Sequence, residues 1–540
     1  MKEKSIVPSS TNPMSFTGAL ATPHALATDA GMRAIAQGGN AIDAAITAAA
    51  VLTVVYPHNV ALGGDLIALV RTPDGAVRCI NASGWSGAAA DAAAMRAQHG
   101  TWLPARGADA VTVPGAVRGW QALRKLGSQL AWERTLAPAQ HYAEHGVAVA
   151  PSLTAHINHP ENVDLFGTAD FDRVFRPAGK PLRTGETFRQ PALAETLAQL
   201  SVSGPDGFYT GALGERMVSY LRAHGSCLTG ADFADFEPDI TDPIAMSFRG
   251  LSVLTSPPNS HGFILLRALH AIDKLGLTDP LGAGLGTLMQ IFRRGNQLRT
   301  SDLADPRCVD VDVERLLTVG PDVVEAEVEA EHDRALVPYG DTVGIAAADS
   351  DGYAVSLIQS VYHAFGSGLI DPDTGVLFHN RGTSFSLDPA SPNVLAPRKR
   401  PVHTLMPAMT THEGKVRHVL ATMGGQGQPQ ILAQLLLRAL AGENVESAVS
   451  APRAIVGLQH EGTTRDTVSW EADLSGSARE ALTRGGLPDT EMAPHSESLG
   501  QANLISIGAE GAMTAASDPR SDGAAVVANY PRHRWEQVQR

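Results

Sequence analysis

Apolar residues fall along this chain in stretches of different period. Between Asn40 and Val54 they crowd an Ala-rich run that predicts a helix. Asn40 stands as its N-cap, and Asp43 three positions on completes a capping box. Residues 65–71 and 76–81 are shorter apolar runs on either side of Pro73-Asp74-Gly75, and they predict a pair of strands. From about 108 to 330 helical spacing prevails, including 115–126, 191–200 and 213–224. From Thr342 onward strands dominate, with helices expected at 428–441 and 475–483. Strands before and after a helical middle predict an α+β layer structure whose central sheets draw on both halves. Residues 1–20, polar and rich in Pro and Ser until Phe16, read as disordered. No repeat of 20–50 residues is evident, which argues against a solenoid.

One segment joins this pattern to chemistry. In residues 341–360 an apolar run, the turn signal Asp351-Gly352 and a second β-branched run predict a hairpin that begins at Thr342. A two-residue loop would place Thr342 opposite Val361, turning Ser360 to the other face, and a one-residue bulge would bring the Ser360 hydroxyl beside Thr342. Upstream, the acidic, helix-prone run 323–329 gives way to Leu336-Val337-Pro338-Tyr339-Gly340. A mobile loop entering a buried strand that starts with Thr is what a self-cleaving precursor needs.

Composition narrows the classes. The 540 residues, 44% of them hydrophobic, suffice for a large core. A net charge of −14 without Lys/Arg runs speaks against nucleic acid or anionic membrane as partner. Residues 44–55 are too short and too Ala/Thr-rich to span a bilayer. No secretory apolar region follows Met1-Lys2-Glu3-Lys4, which favours the cytoplasm. Cys79, Cys227 and Cys308 are scattered and odd in number, and read as buried reduced thiols. The segment 282–286 does not have the spacing of a dinucleotide fingerprint. His156 and His159 have no ligands at metal spacing, so neither a metal nor another cofactor is expected.

Six further motifs accompany Thr342 in order. They are Gly38-Gly39-Asn40-Ala41-Ile42-Asp43-Ala44-Ala45, Pro57-His58 with Leu62-Gly63-Gly64-Asp65, Phe365-Gly366-Ser367-Gly368, Thr374-Gly375-Val376-Leu377, Lys399-Arg400-Pro401 and Gly424-Gly425. Together they resemble the γ-glutamyltranspeptidase family of N-terminal-nucleophile hydrolases. The resemblance implies a four-layer αββα sandwich and a precursor cut between Asp341 and Thr342. Residues 1–341 would form a large subunit and 342–540 a small one, both within one composite globule open to homo-oligomerisation. Many relatives are exported, a pattern from which this N-terminus departs.

The chemistry needs an activated nucleophile, an oxyanion site and a recognition pocket. A Thr hydroxyl is a poor nucleophile at neutral pH, and a free α-amine on the same residue can be its base. That amine appears only when the Asp341–Thr342 bond opens. Ser360 matches the position from which a second-strand Thr bonds the nucleophile in the transpeptidases. Gly424 and Gly425, just before a helix, leave backbone N–H groups unobstructed for an oxyanion. Recognition departs from the family. Where transpeptidases carry a carboxylate-binding Arg, this chain has Ser83 in Ser83-Gly84-Trp85. Where they place acidic groups for an α-ammonium, it has Asn380-Arg381-Gly382, and their Ser-Ser pair becomes His403-Thr404. Arg381 favours an anion over an ammonium. This set resembles the branch with cephalosporin/glutaryl acylases and oxamate amidohydrolase. The expected activity is hydrolysis of a small carboxylate-bearing amide such as oxamate. The alternatives are a glutaryl or cephalosporin-type acylase, a γ-glutamyl hydrolase or transpeptidase, and a dormant relative with a binding role.

Overall fold

The computed structural model describes residues 15–320 and 341–531. Two antiparallel sheets lie stacked at its centre. The first runs Ala524–Pro531, Ser15–Thr22, Asp341–Asp349, Ala354–Tyr362, Asp65–Arg71, Val77–Ala82 and Asp239–Thr241. The second runs Met513–Ser517, Gln501–Ile507, Lys415–Met423, Ala408–His412, Leu251–Thr255 and Ile244–Phe248. Ala19, Ile67, Ala346 and Ile358 of one sheet meet Leu254, Met409, Val419 and Ile505 of the other in a continuous buried layer. Helices Ala25–Ala36 and Ala41–Val55 cover the outer face of the first sheet, and Phe263–Lys274, Leu285–Asp302 and Gln428–Leu440 that of the second. The order helix, sheet, sheet, helix is the four-layer αββα sandwich.

The helix Ala41–Val55 is buried along its whole length, which explains its Ala content: small side chains let it approach both the sheet and the outer helices. The capping box forms, with Asn40 Oδ1 accepting from the Ile42 and Asp43 amides and Asp43 Oδ2 accepting from the Asn40 amide.

The hairpin does not have the two-residue loop, and it brings the Ser360 hydroxyl beside Thr342, as expected of a bulge, by another route. Asp349 and Tyr353 close a three-residue loop, Ser350-Asp351-Gly352, with Gly352 at φ 97°. Asp349 Oδ1 accepts from the Asp351 and Tyr353 amides and fixes this longer turn. The extra residue sits in the turn rather than in a strand, so Thr342 lies directly opposite Ser360. A register shift does occur, one step further on, where Tyr362 opposes Asp341.

Two other expectations are corrected. Residues 15–20 belong to the strand Ser15–Thr22, between the strands Asp341–Asp349 and Ala524–Pro531. Its pairing partners lie more than 300 residues away, and no local pattern carries them. Only Cys79 is buried, whereas Cys227 and Cys308 are exposed. The acidic run 323–329 and the segment 336–340 lie outside the described residues.

Candidate active site

Thr342 is the second residue of a strand buried at every position. Its Oγ1 donates to Ser360 Oγ at 3.0 Å, and Ser360 Oγ donates to the Asp341 carbonyl oxygen. The Tyr362 amide also donates to Ser360 Oγ, at 2.8 Å. Asn59 Nδ2 holds the Thr342 carbonyl at 3.3 Å, while the Asn59 carbonyl accepts from Val361 N–H at 3.0 Å. A hydrogen-bonded path thus runs from the Thr342 hydroxyl, through Ser360, to the carbonyl of the peptide bond preceding Thr342. Tyr362 has φ 81°, a strained value for a non-glycine residue, next to this path.

The second sheet brings up the glycine turn. A Cβ on Gly344 would come within 2.6 Å of the Thr422 amide nitrogen, so the sheets touch there closely. Ser356, opposite Ala346 in the hairpin, donates to the Leu420 carbonyl. Gly344 thus faces Thr422, and Ser356, the partner of Ala346, faces Leu420 on the strand that runs into the glycine turn. Gly424 and Gly425 have φ 146° and 50°, a turn that disfavours any side chain. The Gly427 amide closes it on the Gly424 carbonyl at 2.8 Å, and the helix Gln428–Leu440 follows. Among the described residues, neither the Gly424 nor the Gly425 amide donates to a protein acceptor.

Arg381 is buried, with its guanidinium 3.7 Å from the centre of the Tyr362 ring. Nη1 and Nη2 each lie 3.3 Å from Thr404 Oγ1, Nη1 also reaches Ser384 Oγ at 3.4 Å, and Nε has no partner. Among the described residues no carboxylate pairs with it. Burial pushes it down to about 10, against the pull of Tyr362 and Asp65.

The other residues expected around substrate are held by the protein itself. His403 Nδ1 accepts from the Leu405 amide at 3.2 Å, so Nε2 carries the proton and donates to Asp65 Oδ2 at 3.0 Å. Burial, then Arg381, push the His403 ring down to about 3, and it stays neutral. Asp65 also sits 3.3 Å from His379 Nδ1 and accepts from the Gly84 amide at 2.9 Å. Burial alone would raise the Asp65 carboxyl, yet His379 and His403 hold it well below the usual carboxylate range. Asn380 spans the His363 amide and the Ala105 carbonyl. Ser83 Oγ donates to Asn81 Oδ1 at 2.7 Å. Asp65 lay in plain sight in Gly63-Gly64-Asp65, but only the structure shows which imidazoles it orients.

A second cluster surrounds the Asp341 side chain, whose Oδ2 is buried without a partner. Burial, with Glu497, pushes this carboxyl up to about 6 against His156 and Arg106. Burial alone would lower His156, but Asp341 and Glu497 carry it up to about 9. Its Nε2 lies 3.3 Å from Glu497 Oε1, and its ring stacks on that of His58 at 4.5 Å. Burial, then Asp341, push Glu161 up to about 7. Arg106 ties the loop after Tyr362, donating to the Ala364 and Gly366 carbonyls at 2.7 and 2.6 Å. Sequence reasoning weighed His156 only as a metal ligand, because its partners, at 341 and 497, are distant along the chain.

The family model Gamma-glutamyltranspeptidase matches residues 27–528. The oxamate amidohydrolase proenzyme of Klebsiella pneumoniae is 37% identical over 528 residues, covering 95% of this chain and 99% of that protein. The glutathione hydrolase-like YwrD proenzyme of Bacillus subtilis is 36% identical over 519 residues, covering 94% and 97%. Among solved structures, the cephalosporin acylase from Bacillus halodurans matches with TM-score 0.86 at 30% identity, covering 97% of this chain and 99% of that one.

Proposed function

We propose, from the premise that the chain belongs to the γ-glutamyltranspeptidase family and is a C–N bond hydrolase, that it matures by cutting itself before Thr342 and then hydrolyses a small carboxylated amide, oxamate foremost. In maturation, Thr342 Oγ1 attacks the Asp341 carbonyl carbon. Its proton passes to Ser360 Oγ as the Ser360 proton passes to the carbonyl oxygen. Collapse passes that proton from the oxygen to the leaving nitrogen and breaks the C–N bond. Asp341 is left as an ester on Thr342 and the α-amine is freed, and water then hydrolyses the ester and releases residues 1–341 from 342–540.

In turnover, the freed amine takes the proton from Thr342 Oγ1 as that oxygen attacks the substrate carbonyl. The oxyanion is met by the Gly424 and Gly425 amides. The amine returns the proton to the leaving nitrogen, ammonia departs when the substrate is oxamate, and water hydrolyses the oxalyl ester to oxalate. Thr404 and the Tyr362 ring hold Arg381, while Asp65, His403 and His379 brace the pocket wall. The same reading places the processed pair of fragments in the cytoplasm. Among the described residues, no helix is long and apolar enough to cross a membrane.

The observation that carries the substrate reading is Arg381, a buried guanidinium that no carboxylate pairs with among the described residues. Such a charge costs several kcal/mol to bury unless an anion joins it, and a planar carboxylate suits its fork. Kinetics on oxamate, a glutaryl amide and a γ-glutamyl anilide, side by side, test it. Oxamate is expected to give the highest kcat/KM, and preference for the γ-glutamyl compound would refute the reading.

A further inference from the structure

A second guanidinium stands without a carboxylate near the glycine turn. Arg299, late in the helix Leu285–Asp302, donates through Nη2 to Gln426 Oε1 at 2.7 Å. Gln426 directly follows Gly425. Arg299 Nη1 makes a longer bond to Asn296 Oδ1, 3.4 Å, and Asn296 Nδ2 is anchored on the Val456 carbonyl at 3.1 Å. All these acceptors are neutral, and among the described residues no carboxylate pairs with Arg299. Removal from water pushes its guanidinium down to about 10, with Tyr362 pulling the other way, as it does for Arg381.

Both cations act on His261, fully buried, just ahead of the helix Phe263–Lys274. Neither of its ring nitrogens meets a partner in hydrogen-bonding geometry, although the Thr404 backbone lies beside it. Burial, then Arg299, hold this imidazole neutral, and His403 and Arg381 act in the same sense. The buried Arg381 and the half-buried Arg299, neither paired with a carboxylate among the described residues, set positive charge about this buried ring and suit an anion from outside the protein. A carboxylated amide brings one such charge. Attack by Thr342 Oγ1 turns its carbonyl oxygen into an oxyanion, and a second charge appears only then.

We infer that the two arginines divide these charges: Arg381 meets the substrate carboxylate, and Arg299 is a positioning residue that holds the Gly424–Gly427 turn through Gln426 and keeps an uncancelled positive charge behind the oxyanion. This rests on the oxyanion assignment above. It makes Arg299 a determinant of kcat and Arg381 a determinant of carboxylate recognition.

The test uses the purified, cleaved enzyme with the best carboxylated amide and with an uncharged activated ester, p-nitrophenyl acetate. Arg299→Gln should lower kcat on both by roughly tenfold or more and leave KM within about twofold, since the charge is felt mainly in the transition state. Arg299→Lys should recover part of the loss. Gln426→Glu keeps a hydrogen-bond acceptor but sets a carboxylate on the guanidinium, and it should lower kcat as Arg299→Gln does. Should Arg299→Gln fail to mature, Gln426→Glu decides alone. A raised KM for the carboxylated amide with an unchanged ester rate would overturn the proposal, because Arg299 would then be a ground-state anion site. Wild-type kcat in Gln426→Glu would overturn it too, leaving only a tether. Failure of the carboxylate reading looks different: no carboxylated amide is turned over, yet the ester still reports the Arg299 effect.

Discussion

Asp341 and Arg381 lie near the same end of one strand pair, yet their surroundings act in opposite senses. Around Asp341 the balance of burial and Glu497 favours keeping a proton: that carboxyl is pushed up to about 6, Glu161 to about 7 and His156 to about 9. Around Arg381 the balance favours losing one: His403 is pushed down to about 3, His261 lies well below its usual value, and both guanidiniums are lowered. A carboxyl pushed up to about 6 gives up its proton less readily than an ordinary aspartate, beside the bond proposed to be attacked. A pocket of uncancelled cations and neutral imidazoles is suited to an anion. On the proposed reading, the contrast separates a scissile-bond environment, used once per chain, from a recognition environment used in every turnover.

The sharpest way to break this division is at Thr342. Thr342→Ala should leave the chain whole and inactive, read as a single intact mass in place of fragments 1–341 and 342–540. Equal cleavage in this variant would hand maturation to an outside protease. Next in size is Gly425→Val, which forces a side chain onto a backbone at φ 50° beside the unpartnered amides. It should cut kcat on the order of 10²–10³-fold with little change in KM, while fragments still form. A mature Gly425→Val enzyme with normal kcat would move the oxyanion site elsewhere. Smaller again is Arg381→Lys, which removes the fork but keeps the charge. It should lower kcat/KM for a carboxylated amide by roughly 2–3 kcal/mol and spare self-cleavage, so that an effect on maturation instead would show the two environments to be one.

What could be read from the sequence followed the range of the interactions. The Ala41–Val55 helix and its cap lie within a few residues of one another, and Asn40 and Asp43 announce them. The strands at 65–71 and 77–82 likewise carry their own turn signal. Ser15–Thr22 was illegible because its partners are at 341–349 and 524–531, and nothing in a short Ser/Thr/Gly/Ala run marks so distant a pairing. The hairpin register failed by one residue for a local reason, the Asp349 side chain, which accepts two amides and favours the longer loop. At the site, motif residues such as Thr342, Ser360 and Gly424 could be named from their order. Their supports could not: Asp65 reaches His403 across 338 residues, and Arg299 reaches Gln426 across 127.

The smallest expected effect probes the Asp341 side most directly. Its carboxyl is 3% exposed and held at about 6 in the folded precursor, above the range of an unfolded aspartate. The folded state therefore binds more protons than the unfolded state between about pH 4 and 6. By linkage, this group's contribution to stability is full below the unfolded pKa and is lost as pH rises through about 6. The loss is on the order of 1–3 kcal/mol, a figure that already includes the pull of protonated His156. Thr342→Ala provides an uncut chain in which to measure it, since cleavage would add a new α-carboxylate at the same residue. Its denaturant midpoint, followed from pH 4.5 to 7.5, should fall more steeply than that of the Thr342→Ala, Asp341→Asn double variant, in which residue 341 no longer titrates. Parallel curves for the two chains would mean that Asp341 is already ionised at pH 4.5, and the proton-retaining character assigned to the scissile-bond side would have to be given up.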